Sequence, residues 1–479
     1  MDAPLPLPPG FGQGLPEMRS PLPGPRTREL ALRLARVESR NVTYLESPPI
    51  FWTEARGANV RDADGNVFLD LTGAFGVAVA GHANPVIGAA LADQASRLVH
   101  GMGDVHPPEI KVRLLERLAR LSPWEACRGF LANSGSEAVE AALKTALLAT
   151  GRPGILAFEG GYHGLTLGSL AATHRADFRA PFAPHLHGGV KFAPFPDVLG
   201  AQSPAGAAAG AGASSEAGSG PRAQAAAGAA ALARVDELLA EAEAEGMPVG
   251  AVIVEPIQGR AGVRVPVPGF LAGVAERARA AGALVIHDEI FSGLGRTGRD
   301  FAAAWEGPEA TPDLVCVGKS LGGGLPLSAC LGEASVMDAW PRSEGEALHT
   351  STFLGHPLAC ATSLAFLDLM ETGGLMSRAL ELGDRLRQDL SAALQDVTAL
   401  RGLRGRGLFL GLVLDGDGAP PLAGVRVAEE ALRRGVIVLP AGPCGEVVEL
   451  SPPLVLTDAQ AAAAVEIVAA SVRSVVAGR

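Results

Sequence analysis

The chain has 479 residues, 48% hydrophobic and 19% charged, a globular composition that excludes wholesale disorder and has length for two or three domains. Its net charge of -11 argues against a nucleic-acid binder, which needs a basic face to displace phosphate counterions. The five cysteines are scattered without a CxxC pair, a pattern that fits reduced thiols better than a disulfide framework or a zinc site.

The N-terminus shows neither a basic n-region nor an apolar h-region, and no run of about 18 bulky apolar residues follows, so a cytoplasmic chain without a membrane span is expected. Residues 1–25 are rich in Pro and Gly and read as a flexible or extended arm. The spacing of Leu30, Leu32, Leu34 and Val37 predicts a short helix within Thr27–Arg40. Short strands follow around Asn59–Val60 and Val67–Asp70, with Asp64-Gly65 as a hairpin turn between them. Residues 26–85 are expected to join a smaller domain.

From 86 to 345 helical stretches alternate with brief apolar runs. The predicted strands are Gly129–Ala132, Ile155–Phe158, Ala251–Glu255, Ala283–Asp288, Leu314–Val317 and Ser328–Leu331. Such continuous apolarity suits strands buried on both faces of a mostly parallel sheet, so this is the large domain of an α/β fold, with helices over Glu137–Thr150 and Gly269–Ala281. Residues 198–230 are low-complexity Ala, Gly and Ser and are expected to form a disordered surface insertion. Residues 346–479 turn helical, carry strands near Leu403–Leu414 and Val447–Leu450, and end in a helix from Thr457. That is a small α+β domain, completed by the N-terminal hairpin.

Two short motifs invite other chemistry. Gly293–Gly298 matches GxGxxG, but the dinucleotide fingerprint must open a long helix, and none is evident after Gly298. Gly318–Gly322 matches GxSxG, with Asp338 and His349 following in hydrolase order. A nucleophile elbow needs a helix directly after the serine, whereas Ser320 precedes Leu-Gly-Gly-Gly-Leu-Pro. A serine hydrolase using Ser320 is the remote alternative.

Only four lysines stand against 36 arginines, so the search for a reactive amine is short. Lys111 lies on the polar side of an amphipathic helix, Lys144 follows Glu140 at ion-pair spacing, and Lys191 sits in a loop-like stretch. Lys319 directly follows the strand Leu314–Val317 among glycines, where open α/β sheets bind ligands and where desolvation favours a neutral, nucleophilic amine. Asp288 closes a buried apolar run and needs a cationic or donor partner, either a ligand nitrogen or a structural arginine such as Arg296. Asn133–Ala138 lies between a strand and a helix, and its small residues expose N–H groups to an anion, although Ser136 suits an N-cap equally. An anion site, a reactive lysine and a buried aspartate at three strand ends point to pyridoxal 5'-phosphate.

The chain resembles the class III (subgroup II) aminotransferases of fold type I through motifs in the same order from about Gly57 to the C-terminus. These are GHANP (Gly81–Pro85), NSGSEA (Asn133–Ala138), GGYHG (Gly160–Gly164), EPIQG (Glu255–Gly259), DEI…GLGRTG (Asp288–Gly298), GKSLGGGLP (Gly318–Pro326), HTSTF (His349–Phe353) and LRGRGL (Leu403–Leu408). The resemblance implies that Lys319 forms the Schiff base, Asp288 pairs with the pyridine nitrogen, and Gly135 and Ser136 hold the phosphate. It implies a ring of Tyr162 against the cofactor with His163 beside it, and Thr352 reaching the phosphate of a second subunit in a homodimer. Arg404 matches the arginine that clamps a substrate carboxylate. The implied reaction moves an amino group from an amino acid, ω-amino acid or diamine to a 2-oxo acid; a same-family racemase or other isomerase is the alternative. Two positions depart from the pattern. Arg260 stands where many relatives have a glutamate that pairs with the clamp arginine, so a site richer in positive charge is expected there. Phe291 replaces a frequent glutamine that reaches the cofactor's phenolic oxygen.

Overall fold

The computed structural model describes residues 10–43, 49–200 and 220–478. Its first strands are β1 (Trp52–Arg56), β2 (Asn59–Asp62) and β3 (Val67–Asp70). Next come β4 (Cys127–Ala132), β5 (Gly154–Phe158), β6 (Val190–Ala193), β7 (Val249–Val254), β8 (Leu284–Asp288), β9 (Leu314–Val317) and β10 (Ser328–Glu333). The last are β11 (Gly402–Arg406), β12 (Phe409–Val413), β13 (Val436–Ile437), β14 (Leu439–Ala441) and β15 (Val447–Leu450).

The central sheet has the order β4-β10-β9-β8-β7-β5-β6. Strands β5 to β9 run parallel, and β10 is antiparallel to both β4 and β9. Each expected strand of this sheet is present, and β5, β7 and β9 are buried throughout, as their unbroken apolar runs require. One strand was not expected. Lys191 lies in β6 rather than a loop, because Val190 and Phe192 take up register with Ile155 and Ala157 of β5.

Two helical layers cover the sheet. Helix Gly135–Thr150 packs Ala138, Val139 and Ala142 onto Ile253, Ile286 and Cys316 on one face. On the other, helices Pro221–Ala244 and Phe270–Ala280 pack Val235, Leu238 and Val274 onto Val252, Val254 and Val285. This corrects the low-complexity segment. Residues 201–219 lie outside the described residues, but 221–230 are the opening turns of the helix Pro221–Ala244. An alanine run has the highest helix propensity, and its small side chains let buried Gly228 approach Val267.

Of the two forms expected for the N-terminal arm, the described residues 10–24 take the extended one, and residues 1–9 lie outside the described residues. Residues 10–24 dock onto the hairpin. The N–H groups of Gly12 and Gly14 donate to Asn59 Oδ1 at 2.9 and 3.0 Å, and those of Arg19 and Ser20 to Asn66 Oδ1 at 2.7 and 2.9 Å. Glu17 forms an antiparallel bridge with Val67, and Phe11 is buried. Pro-rich chain has little φ freedom to lose on docking, and two buried asparagines provide partners that composition does not reveal. The following helix is Pro25–Leu34, shorter than expected; the Asp64 carboxylate accepts the N–H of Arg26 and Thr27 at its first turn.

Both chain ends share one small sheet, β1-β2-β3-β13, in which β13 runs parallel to β3, while β11, β12, β15 and β14 form another. Helix Asp458–Val476 is long and apolar enough to cross a membrane, yet its Val465, Val468 and Val472 are buried in the core against the neighbouring helices Leu375–Ala393 and Ala423–Arg433.

Candidate active site

The carboxyl edge of β8 and β9 gathers the reactive groups. Lys319 follows β9 and adopts φ +43°, a left-handed conformation that opens a 3-10 turn over Lys319–Gly322. Its Nζ lies 3.4 Å from the ring centroid of Phe291, which in turn packs on Phe409 at 4.4 Å. Phe291 fits because its neighbours lack side chains: a Cβ at Gly76 would lie 2.4 Å from its Cε2, and one at Gly259 2.8 Å from its Cδ1. Burial lowers the Lys319 pKa to about 8, with Glu449, Asp288 and Glu255 opposing the shift and Arg260 adding to it. Lys111 and Lys191 are committed elsewhere, to the Gly103 carbonyl and the Glu245 carboxylate, each at 2.6 Å. Lys144 is exposed, and its expected partner Glu140 instead accepts from Thr166 Oγ1 and the N–H groups of Gly168 and Ser169.

Asp288 ends β8 with one oxygen 2.8 Å from His163 Nδ1 and the other accepting the Ile290 N–H at 3.1 Å. The structural partner expected in Arg296 does not reach it. Arg296 is buried and donates to the carbonyls of Leu408 and Pro452, and burial lowers its pKa to about 10. The partner is His163, which leaves the carboxylate's position fixed from behind. Tyr162 donates its N–H to Glu255 at 2.8 Å, and Glu255 is pushed up to about 7 by burial. Burial also raises the Tyr162 phenol, with Arg260 opposing.

Ser134, not Ser136, caps helix Gly135–Thr150, in a reciprocal box with Glu137. Ser136 Oγ accepts the Leu165 N–H at 3.2 Å. The N–H groups of Gly135 and Ser136 then lie in the first helical turn, where no intrahelical acceptor exists and an anion is favoured. Gly135 is needed for space, since a Cβ would lie 2.7 Å from Ile290 Cδ1. Thr352 is exposed in the single chain, and its neighbour Ser351 lies 3.3 Å from Asn133 Nδ2, beside the same loop. Free N–H groups at a helix start, a buried carboxylate and an amine of lowered pKa are the donor set that pyridoxal phosphate requires. The residues fit the cofactor.

Arg404 lies buried on β11, donating Nε to the Gly262 carbonyl at 2.8 Å and pairing through Nη1 with Asp197. Arg260 lines the same cavity, so the two arginines do share one site, with Asp197 offsetting Arg404. Asp197 was not legible in the sequence, because it sits in a Phe- and Pro-rich stretch without a pattern. Glu449 was also missed. It is buried on β15, accepts from Ser451 Oγ at 3.1 Å, and is pushed up to about 6 by burial, with Lys319 the strongest opposing charge. A lone acid inside the apolar run VVEL was its available signal.

The competing motifs find no support. Ser320 is buried in a 3-10 turn, and the His349 ring packs against Phe130 and Trp340. Residues 293–298 fold back on themselves through bonds from Leu294 to Asp300 and Gly295 to Arg299, not into a helix.

Residues 41–472 match the family described as Aminotransferase class-III. An acetylornithine aminotransferase from Corynebacterium efficiens is 37% identical over 435 residues, covering 88% of this chain and 92% of that protein. A 4-aminobutyrate aminotransferase from Mycobacterium leprae is 34% identical over 447 residues, covering 91% and 93%. Among solved structures, the ornithine aminotransferase from Toxoplasma gondii ME49 superposes with a TM-score of 0.78 at 28% identity, covering 95% of this chain and 96% of that one. An amine transaminase from an uncultivated Pseudomonas species in its PLP-bound form gives 0.79 at 28% identity, covering 91% and 97%.

Proposed function

Since the chain belongs to the class III aminotransferases, which transfer amino groups to 2-oxo acids with pyridoxal phosphate, we propose how its own residues divide that work. The racemase alternative has no finding in its favour, as the similar proteins named above are aminotransferases or transaminases. When bound, pyridoxal phosphate supplies an aldehyde for the donor amine and a ring that takes up negative charge from the substrate carbon.

Lys319 would hold the cofactor through its Nζ, and the same Nζ would accept and return the substrate proton. A pKa near 8 suits both tasks around neutral pH, and the Phe291 face keeps Nζ in place between them. Asp288, braced by His163, keeps a proton on the pyridine nitrogen. Gly135 and Ser136 hold the phosphate by their N–H groups, and Tyr162 flanks the ring. Arg404 presents its remaining Nη2 edge to a substrate carboxylate, with Arg260 beside it. A homodimer accords with exposed Thr352, Phe353 and Leu348 in one segment beside the phosphate loop. Donors are an amino acid, ω-amino acid or diamine.

The observation that carries this reading is the convergence of Lys319 and Asp288 at adjacent strand ends, with the Asp288 charge felt at Lys319. Donors screened against pyruvate and 2-oxoglutarate should yield labelled amino acid, and borohydride should fix the cofactor to Lys319. Lys319→Ala should lower kcat by at least about 10³-fold. Label on another lysine, or transfer undiminished in that variant, would overturn the assignment.

A further inference from the structure

A cavity of about 250 Å³ opens between Gly160, Arg175, Asp197, Arg260, Arg264 and Arg404. It adjoins the reacting centre, because the Arg260 charge acts on Lys319, Tyr162 and Glu449 alike. Its positive charge is unevenly matched. Arg404 is paired with Asp197, and Arg401, farther along the wall, with Asp415. Arg175 is paired with Asp177. Arg264 has only carbonyl partners, donating to Phe195 at 2.5 Å, and no carboxylate within ion-pair distance among the described residues. Arg260 makes no side-chain hydrogen bond or ion pair with an acid among the described residues. Glu159 and Glu446 also line the wall and moderate the field, but Glu446 is engaged by the Cys444 N–H.

Burial lowers the Arg264 pKa, the signature of a cation that would gain from an arriving anion. The wall is also kept bare where the guanidinium groups approach it. A Cβ at Gly160 would lie 3.1 Å from Arg264 Nη1, and one at Gly262 2.9 Å from Arg404 Nη2, with φ of +85° and +100° at these glycines. We propose that Arg260 and Arg264 form a second anion subsite that takes a carboxylate at the distal end of the substrate. The preferred substrates are then dianionic, with one carboxylate at Arg404 and the other in this cavity. This rests on the assignment of Arg404 to a substrate carboxylate made above.

Adipate and hexanoate, equal in length and different in one charge, test it by calorimetry on the holoenzyme. Adipate should bind at least tenfold more tightly, and Arg260→Met and Arg264→Met should each bring the ratio towards one, largely by weakening adipate. Arg264→Lys, which retains charge, should keep part of the preference and serves if the methionine variant does not fold. Equal binding of the two acids by the wild type, or a preference that survives Arg260→Met, overturns the subsite. Failure of the underlying reading looks different: neither acid would bind competitively with a donor, or Arg404→Met would leave hexanoate binding unchanged.

Discussion

Asp288 and His287 are neighbours on β8 that point into opposite layers of the sheet, and their surroundings could hardly differ more. Asp288, on the layer of helix Gly135–Thr150, has hydrogen bonds to both oxygens, and its charge acts on Lys319 and Glu255. His287 is equally buried, but neither ring nitrogen has a partner among the described residues, and burial drives its pKa down to about 3. Glu289 lies with it along the reverse cavity, tied to Ser292 and the Ala303 N–H and pushed up to about 7. Burial alone therefore does not make a site. One face arranges charges that constrain each other; the other holds His287 neutral and pushes Glu289 towards its neutral form.

Substitutions on the two faces sharpen the contrast. The largest effect is expected for Asp288→Asn, which should lower kcat roughly 10²–10³-fold, the scale of losing one preorganised electrostatic partner, with little change in melting temperature. His287→Leu should do the reverse, leaving kcat within about twofold while raising stability by about 1 kcal/mol in thermal melts, because two unsatisfied polar atoms disappear. A loss of activity comparable to that of Asp288→Asn would break the distinction between the faces.

Phe291→Leu addresses the amine itself. A leucine keeps Lys319 desolvated but removes the ring face, worth about 0.5–2 kcal/mol to an ammonium, so its pKa should fall below about 8 by roughly 0.4 to 1.5 units. The pH midpoint of Lys319 acylation in cofactor-free protein, read by mass spectrometry, checks the direction; a rise would show that the ring acts only as a shield. Glu289→Gln is read as a change of slope with pH rather than a change of activity. Its folded pKa is raised from 4.5 to about 7, so its contribution to stability is complete below about pH 4.5 and fades as pH rises through about 7. The variant's melting temperature should therefore decline less than the wild type's between about pH 5 and 8, and equal slopes would assign the decline to other groups.

Lys319 and Asp288 were legible because each combines a rare feature with a clear place: an amine or acid directly at the end of an apolar run. The strands of the central sheet were legible for the same reason, since continuous apolarity over four to six residues has few other uses. Low-complexity composition misled at 221–230, where it suggests disorder, and at 10–24 it left a flexible and an extended arm equally open. It records which side chains are absent, whereas docking of 10–24 depends on Asn59 and Asn66, and helix formation at 221–230 depends on alanine propensity and a neighbouring sheet face. β6 was missed because its four residues acquire a strand's character only from their register with β5.

The ordered motifs thus determined, from sequence alone, the family and the cofactor, and the scarcity of lysine narrowed the candidates for the reactive amine to four. Tertiary structure decided the charge partners. His163 rather than Arg296 braces Asp288, Asp197 rather than a residue after EPIQG offsets Arg404, and Glu449 reaches the site from a strand beside the C-terminus. These pairings join residues 125 and 207 positions apart in the first two cases, and no local periodicity encodes them. A buried charge takes whichever partner the packed sheets bring within a few ångströms, and that choice exists only once the chain has folded.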